Sequence, residues 1–404
     1  MMHSPGDLDR PASRQKRERR SASIRLGSVY GVLFLYVGVM LPFWGLWLQY
    51  KGLTPVEIGM VMTVPYLMKP IIPLISTQLA DRFGRVKVIF LINLVLTLLF
   101  FTPYLYVDDF GSILLVTVVL NLFFQSLMPL LETMSVAQAR KCGMHYGRVR
   151  STGSVTFIIS AILIGLLIKG SDPEWVVASA VACLAGTLLA ALRLPSDEPE
   201  SVADEEEDTD IYRRKPLKRL LKDRRFILFM IVVALIQMSH GIYYTLGSIH
   251  WKNNGISADM IGMLWGTGVM AEVLVFIFAS GLIARNRPTY VFTVIAALGV
   301  LRWLVTGASL SLPLLFLVQI IHGLTYGAAH LAAIYYIANR VPRSASSTAQ
   351  GLYSAFPMGI AQGLTTVSAG LFYTYWQGKS YWIMALLCLI AVLVAKKMRS
   401  IPSS

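Results

Sequence analysis

Apolar runs of about 22–26 residues recur along this chain, and each matches the roughly 20 residues a helix needs to cross the hydrocarbon of a bilayer. They fall near 27–49, 57–79, 87–106, 112–138, 149–169 and 174–193, then near 226–250, 259–283, 288–309, 313–338, 347–373 and 378–396. Hydrocarbon offers no water to backbone N–H and C=O groups, so runs of this kind must satisfy them internally, as helices do. The expected class is an all-α membrane protein with twelve transmembrane helices. Composition agrees: 55% of residues are hydrophobic and only 14% are charged. That is too little polar material to cover a soluble surface, so the expected solvent is lipid.

A formal net charge of +14 would suggest nucleic acid in a soluble protein. Here the basic residues lie between apolar runs, as membrane topology requires, and no nucleic-acid partner is expected. Asp81-Arg82-Phe83-Gly84-Arg85-Val86-Lys87, Arg140-Lys141, Arg213 to Arg225, Arg285 and Arg287, Arg340 and Arg343, and Lys396-Lys397 with Arg399 all fall on one side. The other side carries Lys51, Lys169, Lys252 and Lys379. The positive-inside rule then puts both termini in the cytoplasm, with an even number of spans. The expected layout is a basic arm over 1–26, a six-helix bundle over 27–194, a charged linker over 195–225, a second bundle over 226–397 and a tail over 398–404. The first apolar run is long and lacks a cleavage pattern, so it is read as a retained span. The linker runs acidic (Asp204 to Asp208), then basic (Arg213 to Arg225). It is too polar to pack, and its basic half is expected against the inner leaflet.

Three polar groups interrupt consecutive runs of the second half: Glu272, Arg302 and His322. A charged side chain at the centre of such a run costs roughly 3 kcal/mol on insertion scales. A carboxylate, a guanidinium and an imidazole in three successive spans imply a shared polar interior. In the first half Glu132 and Arg150 are deep enough to form an exchangeable ion pair, with a static structural pair as the other reading. His322, Tyr326 and His330 recur every four residues on one face. Gln237, His240 and Tyr244 form a second stripe, open to core packing as well as cavity lining. Lys69, between Pro65 and Pro70, either meets a substrate carboxylate or snorkels to the inner face. Trp44 and Trp47 either stack on an aromatic ligand or, for Trp47, sit in an interfacial belt.

Several of these positions carry a resemblance. Asp81, Arg82, Gly84 and Arg85 resemble the loop motif of the major facilitator superfamily, whose charges latch neighbouring helix ends; Thr77 stands where that motif usually leads with glycine. Glu272, Arg302 and His322, in this order and spacing, resemble the oligosaccharide/proton symporters of the lactose permease type. Pro129-Leu130-Leu131-Glu132 and Tyr146-Gly147-Arg148-Val149-Arg150 match that group's substrate-binding carboxylate and arginine at Glu132 and Arg150. The chain is still more similar to the phenylpropionate-transporter family. That pattern runs through Leu41-Pro42-Phe43-Trp44-Gly45-Leu46-Trp47, Ser239-His240-Gly241-Ile242-Tyr243-Tyr244, Leu264-Trp265 up to Glu272, Arg302-Trp303 and Gln319 to His322. Lactose permease carries a carboxylate three residues after its histidine, where this chain has Thr325, which cannot carry a proton. The positions of its sugar-stacking tryptophan and a nearby asparagine fall on Phe157 and Val275. Losing an amide there argues against a hydroxyl-rich sugar and for a flatter, more apolar ligand.

The resemblance implies a major facilitator fold of two pseudo-symmetric six-helix bundles and proton-coupled symport of a small organic solute by alternating access. An aromatic acid such as phenylpropionate is the expected substrate, with a nucleoside or oligosaccharide as the alternative and drug efflux or a transporter-like sensor behind them. Expected substrate contacts are Glu132, Arg150, Lys69, Trp44, Phe157, His240 and Tyr244; Glu272, Arg302 and His322 are expected to couple the proton. The sequence has no phosphate-cradling loop and no hydrolase motif, so neither an ATP-driven pump nor an enzyme is expected. No cofactor is expected, and Cys142, Cys183, Cys388 and the histidines show no metal-ligand spacing. The expected setting is the cell membrane, as a monomer.

Overall fold

A computed structural model describes residues 12–194 and 216–400; most of the expected 195–225 linker, the first residues of the arm and the last of the tail lie outside that range. The described residues are helical almost throughout. We number the membrane helices α1 (Ala12–Tyr50), α2 (Pro55–Phe83), α3 (Val86–Leu105), α4 (Phe110–Cys142), α5 (Tyr146–Leu167) and α6 (Glu174–Leu192). The second half holds α7 (Arg224–Asn253), α8 (Ala258–Arg285), α9 (Pro288–Ala308), α10 (Leu312–Arg340), α11 (343–376) and α12 (Tyr381–Arg399). A five-residue helix, Pro216–Leu220, precedes α7.

Eleven segments of the described residues are long and apolar enough to span a membrane, and the last, Ser344–Arg399, runs to 56 residues. It crosses twice. At Gln377, where φ is 44°, the backbone turns, and α12 returns along α7 and α9. Within the basic arm, residues 12–26 continue α1 as helix, because Lys, Arg, Ala and Ser carry little helix penalty and no proline or glycine interrupts them before Gly27.

Local chemistry fixes the helix starts. Thr54 and Glu57 close a capping box at α2, with Thr54 N donating to Glu57 Oε2 at 2.8 Å and Glu57 N to Thr54 Oγ1 at 3.3 Å. Asp109 accepts from Ser112 N at α4, and Asp223 from the N–H groups of Arg225 and Phe226 at α7. Six helices loosen at mid-depth. α2 breaks at residues 69–71, α4 at 125–126 and α7 at 239–240, while α8, α10 and α11 contain π turns at Val275–Ala279, Gly323–Ala328 and Phe356–Ala361. Pro70, Pro129 and Pro357 lack the N–H their helices would use there.

In the first bundle α1 packs on α5 and α6; in the second α12 packs on α7 and α9. Large apolar side chains such as Leu115, Leu189, Phe278 and Leu282 remain exposed around the outside, as a lipid-facing surface requires. Between bundles, α5 meets α8 and α2 meets α11 on the face opposite the chain ends. Glycine sets that approach: a Cβ on Gly262 would lie 2.1 Å from the Ala161 carbonyl oxygen, and one on Gly370 would lie 2.0 Å from that of Pro55. Lys169 Nζ bonds Asp259 Oδ2 at 2.8 Å across the same seam. Within the first bundle on this face, Lys51 pairs with both Asp108 and Glu174, and Trp47 Nε1 donates to Glu174 Oε2 at 3.2 Å. On the basic face, where α1 begins and α12 ends, the bundles part around a cavity.

Candidate functional site

The cavity has a volume of about 930 Å³, and residues of both bundles line it. Phe34, Leu41, Phe157, Phe276 and Met358 supply apolar wall; Lys69, Glu132, Arg148, Arg150, Gln237, Tyr244, Glu272, Tyr326 and Gln362 supply polar groups. It reaches the basic face at Tyr146, Gly147 and Arg148, the first residues of α5.

Glu132 lies in the lower half of α4, beyond the break, and Arg150 lies on the first turns of α5. Arg150 Nε stands 3.7 Å from Glu132 Oε1, and its guanidinium lies 4.5 Å from the Phe34 ring centroid. Both side chains keep a third or more of their surface open, and exposed pairs are worth only about 0–1 kcal/mol. Separating the pair therefore costs little. Lys69 sits at the break of α2, facing the cavity. Among the described residues no carboxylate pairs with it.

In the second bundle Glu272 Oε1 approaches His322 Nε2 at 3.0 Å, and the Tyr244 hydroxyl lies 3.5 Å from the same nitrogen. His322 Nδ1 has no hydrogen-bond partner. His322 is buried and Glu272 is 18% exposed, so their contact is largely shielded from water.

Arg302 does not join them. It is 1% exposed and lies behind the cavity wall, donating to Val318 O at 3.1 Å, Thr325 Oγ1 at 3.3 Å and Gln319 Oε1 at 3.3 Å. Its guanidinium lies 4.0 Å from the Trp303 ring centroid and 4.9 Å from that of Tyr243. Gln319 is held in turn by Tyr243 Oη at 2.7 Å and Leu264 O at 3.0 Å. Thr325, at the position where a carboxylate is missing, thus serves as a neutral partner to a buried cation. His240 joins this layer: its Nδ1 lies 2.9 Å from Ile236 O and its Nε2 lies 3.4 Å from Thr325 Oγ1.

Of the expected substrate contacts, Glu132, Arg150, Lys69, Phe157 and Tyr244 line the cavity, and Trp44 and His240 do not. Trp44 stacks on Trp47 at 4.7 Å and packs edge-on against Tyr104 in the first-bundle core. His330 bonds the Tyr353 hydroxyl at 2.7 Å, an interhelical bond away from the Glu272–His322 pair. Asp81, Arg82, Gly84 and Arg85 are exposed at the end of α2, with Gly84 (φ 60°) as its left-handed cap. Among the described residues their side chains make no ion pair. Sequence reasoning missed Gln362, Tyr66 and the bonding role of Gln319; nothing in their local pattern singles them out.

The family model described as "MFS_1 like family" matches residues 23–384. The chain is 34% identical over 369 residues to the "Probable 3-phenylpropionic acid transporter" of Escherichia coli (strain K12), covering 91% of this chain and 96% of that protein. It is 25% identical over 387 residues to the "Maltose permease" of Geobacillus stearothermophilus, covering 92% and 94%. Among solved structures, the nucleoside transporter NupG superposes with a TM-score of 0.82 at 17% identity, covering 94% of this chain and 100% of that one. An inward-facing, unoccupied bacterial homologue of the human lysosomal transporter Spinster gives 0.70 at 13% identity, covering 96% and 100%. At these identities the two structures speak for the fold alone.

Proposed function

Because the chain belongs to the MFS_1-like family, we propose that its cavity carries an aromatic carboxylic acid across the cell membrane together with a proton. The protein is a multi-pass membrane transporter of small molecules and not an enzyme. The observation that carries the substrate reading is Lys69: the ammonium faces an aromatic-walled cavity whose carboxylates, Glu132 and Glu272, are already paired. An anionic ligand supplies the missing partner, and Phe34, Phe157 and Tyr66 suit a flat ring. The 34% identity to a probable 3-phenylpropionic acid transporter supports the same class. Arg150 is the second anchor, released from Glu132 when the acid arrives.

Glu272 is the proposed proton carrier. It is the cavity-lining carboxylate of the second bundle, and it meets an imidazole 3.0 Å away. Protonation weakens that pair, and occupancy of the cavity is thereby tied to the proton. Arg302 acts on it through the shared wall of α10. The basic face is cytoplasmic and the cavity opens inward, in a protein working as a monomer; a protease site inserted at the linker should be cut from the inside only.

Uptake of labelled 3-phenylpropionate into proteoliposomes under an imposed pH gradient tests this reading, with protein-free vesicles as the blank and a nucleoside and a disaccharide as competitors. Accumulation above the blank, lost in Lys69→Met and kept in part by Lys69→Arg, is expected. Accumulation of the nucleoside or disaccharide instead of the acid would overturn it.

A further inference from the structure

Two buried amides at the cavity wall lack partners. Gln362 begins the helical segment after the π turn of α11, is 4% exposed, and neither its Nε2 nor its Oε1 makes a hydrogen bond. Gln237 lies on α7 just before its break at residues 239–240, is 2% exposed, and its Nε2 is likewise unpaired. Both line the cavity, and α7 packs against α11 there. The Tyr66 hydroxyl of α2 lies near enough to the Gln362 amide to interact with it, yet neither amide atom has a partner in hydrogen-bond geometry.

Each unmade buried hydrogen bond costs about 1–3 kcal/mol, so a group left in this way calls for an explanation, and on a cavity wall a ligand can supply the partner. The donor–acceptor pattern says which ligand group. A carboxylate accepts only: it would take the two N–H₂ groups and leave Gln362 Oε1 unpaired against a negative charge. An ether or carbonyl has the same defect. A hydroxyl both donates and accepts, so its O–H satisfies Gln362 Oε1 while its lone pairs take an amide N–H. Lys69, one turn beyond Tyr66 on α2, remains for the carboxylate.

We propose that Gln237 and Gln362 form a hydroxyl-reading subsite, so that the preferred substrates are aromatic acids bearing a ring hydroxyl. This rests on the aromatic-acid reading of the same cavity. The site is complete only with the hydroxylated ligand, and an analogue lacking the hydroxyl leaves the amides unpaired, which is the arrangement that discriminates most strongly.

Equilibrium binding of 3-phenylpropionate and its 3- and 4-hydroxyphenyl analogues to the purified protein tests the subsite. One hydroxylated isomer should bind about ten-fold tighter than the parent acid, or better, from two hydrogen bonds. Gln362→Leu should collapse that ratio towards one, whatever its effect on the parent acid alone, and Gln237→Leu should reduce it. Because each change removes an unsatisfied amide, thermal melting of both variants should be unchanged or raised. Equal binding of all three acids by the parent protein, or a ratio that survives Gln362→Leu, overturns the subsite and spares the aromatic-acid reading. Failure of every acid to bind overturns both.

Discussion

Gly262→Ala offers the most direct test of how the two bundles close. Its Cβ would stand 2.1 Å from Ala161 O and 2.9 Å from Ala161 C, whereas ordinary C···O contacts run at about 3.3–3.6 Å. The α5–α8 seam must therefore open by about 1 Å. Overpacking of this kind costs roughly 1–3 kcal/mol. The same displacement stretches the Lys169–Asp259 bond, 2.8 Å long with a lysine 54% exposed, which adds no more than about 1 kcal/mol. Alanine also gains about 1 kcal/mol of helix propensity over glycine, but α8 is helical whichever face is open, so that gain cancels. The clash exists only while the seam is shut. The ratio of the seam-open to the seam-shut state should thus rise roughly ten- to hundred-fold, at about 1.4 kcal/mol per decade. Ser154→Cys, on the cavity wall of α5, reports this when labelled by an impermeant maleimide from the opposite face. Its labelling rate should climb with Gly262→Ala and climb further with Gly370→Ala added. A rate within two-fold of the parent, from protein that melts normally, would refute the idea that these contacts hold the seam.

Glu272→Gln should abolish substrate-induced proton uptake and uphill accumulation while substrate exchange persists; a mutant that still takes up protons would make Glu272 structural. Arg150→Lys keeps the charge but loses the fork that grips a carboxylate, so acid binding measured by calorimetry should fall by ten-fold or more. Arg148→Lys, exposed at the cavity mouth, should have a smaller effect. Equal, small effects at both positions would remove Arg150 from the site.

The helix inventory is legible in the sequence because hydropathy is a local property: a run long enough to cross is visible without knowing its neighbours. The broken helices are half legible. Pro65 and Pro70 around Lys69 signal an interruption, while the π turn at Gly323–Ala328 has no local marker. Arg302 stands apart from the expected three-residue cluster because Val318 O, Gln319 Oε1 and Thr325 Oγ1 take up its guanidinium, while His322 on the same helix meets Glu272. Position counting along an ideal helix cannot divide those partners. Trp44 lies away from the cavity lining for a different reason. Its i+3 neighbour Trp47 offers a stacking partner within the same helix, so an aromatic ligand is not needed to explain it. Gln362 is invisible in the sequence because a missing partner distinguishes it, and that is a property of three helices together.

The π turns are unevenly shared. Among the described residues, α8, α10 and α11 each carry one and the first bundle carries none. An α-helix resists bending through its regular ladder of i to i−4 bonds, and a π turn is a place where that ladder has been respaced. With the breaks of α2, α4 and α7 counted, two interruptions fall in the first bundle and four in the second. The second bundle thus has more places at which its ladder is respaced, and two of its π turns adjoin Glu272 and Gln362. If the bundles bend as they rock, those turns are where bending would reach the proposed proton site and the proposed subsite together.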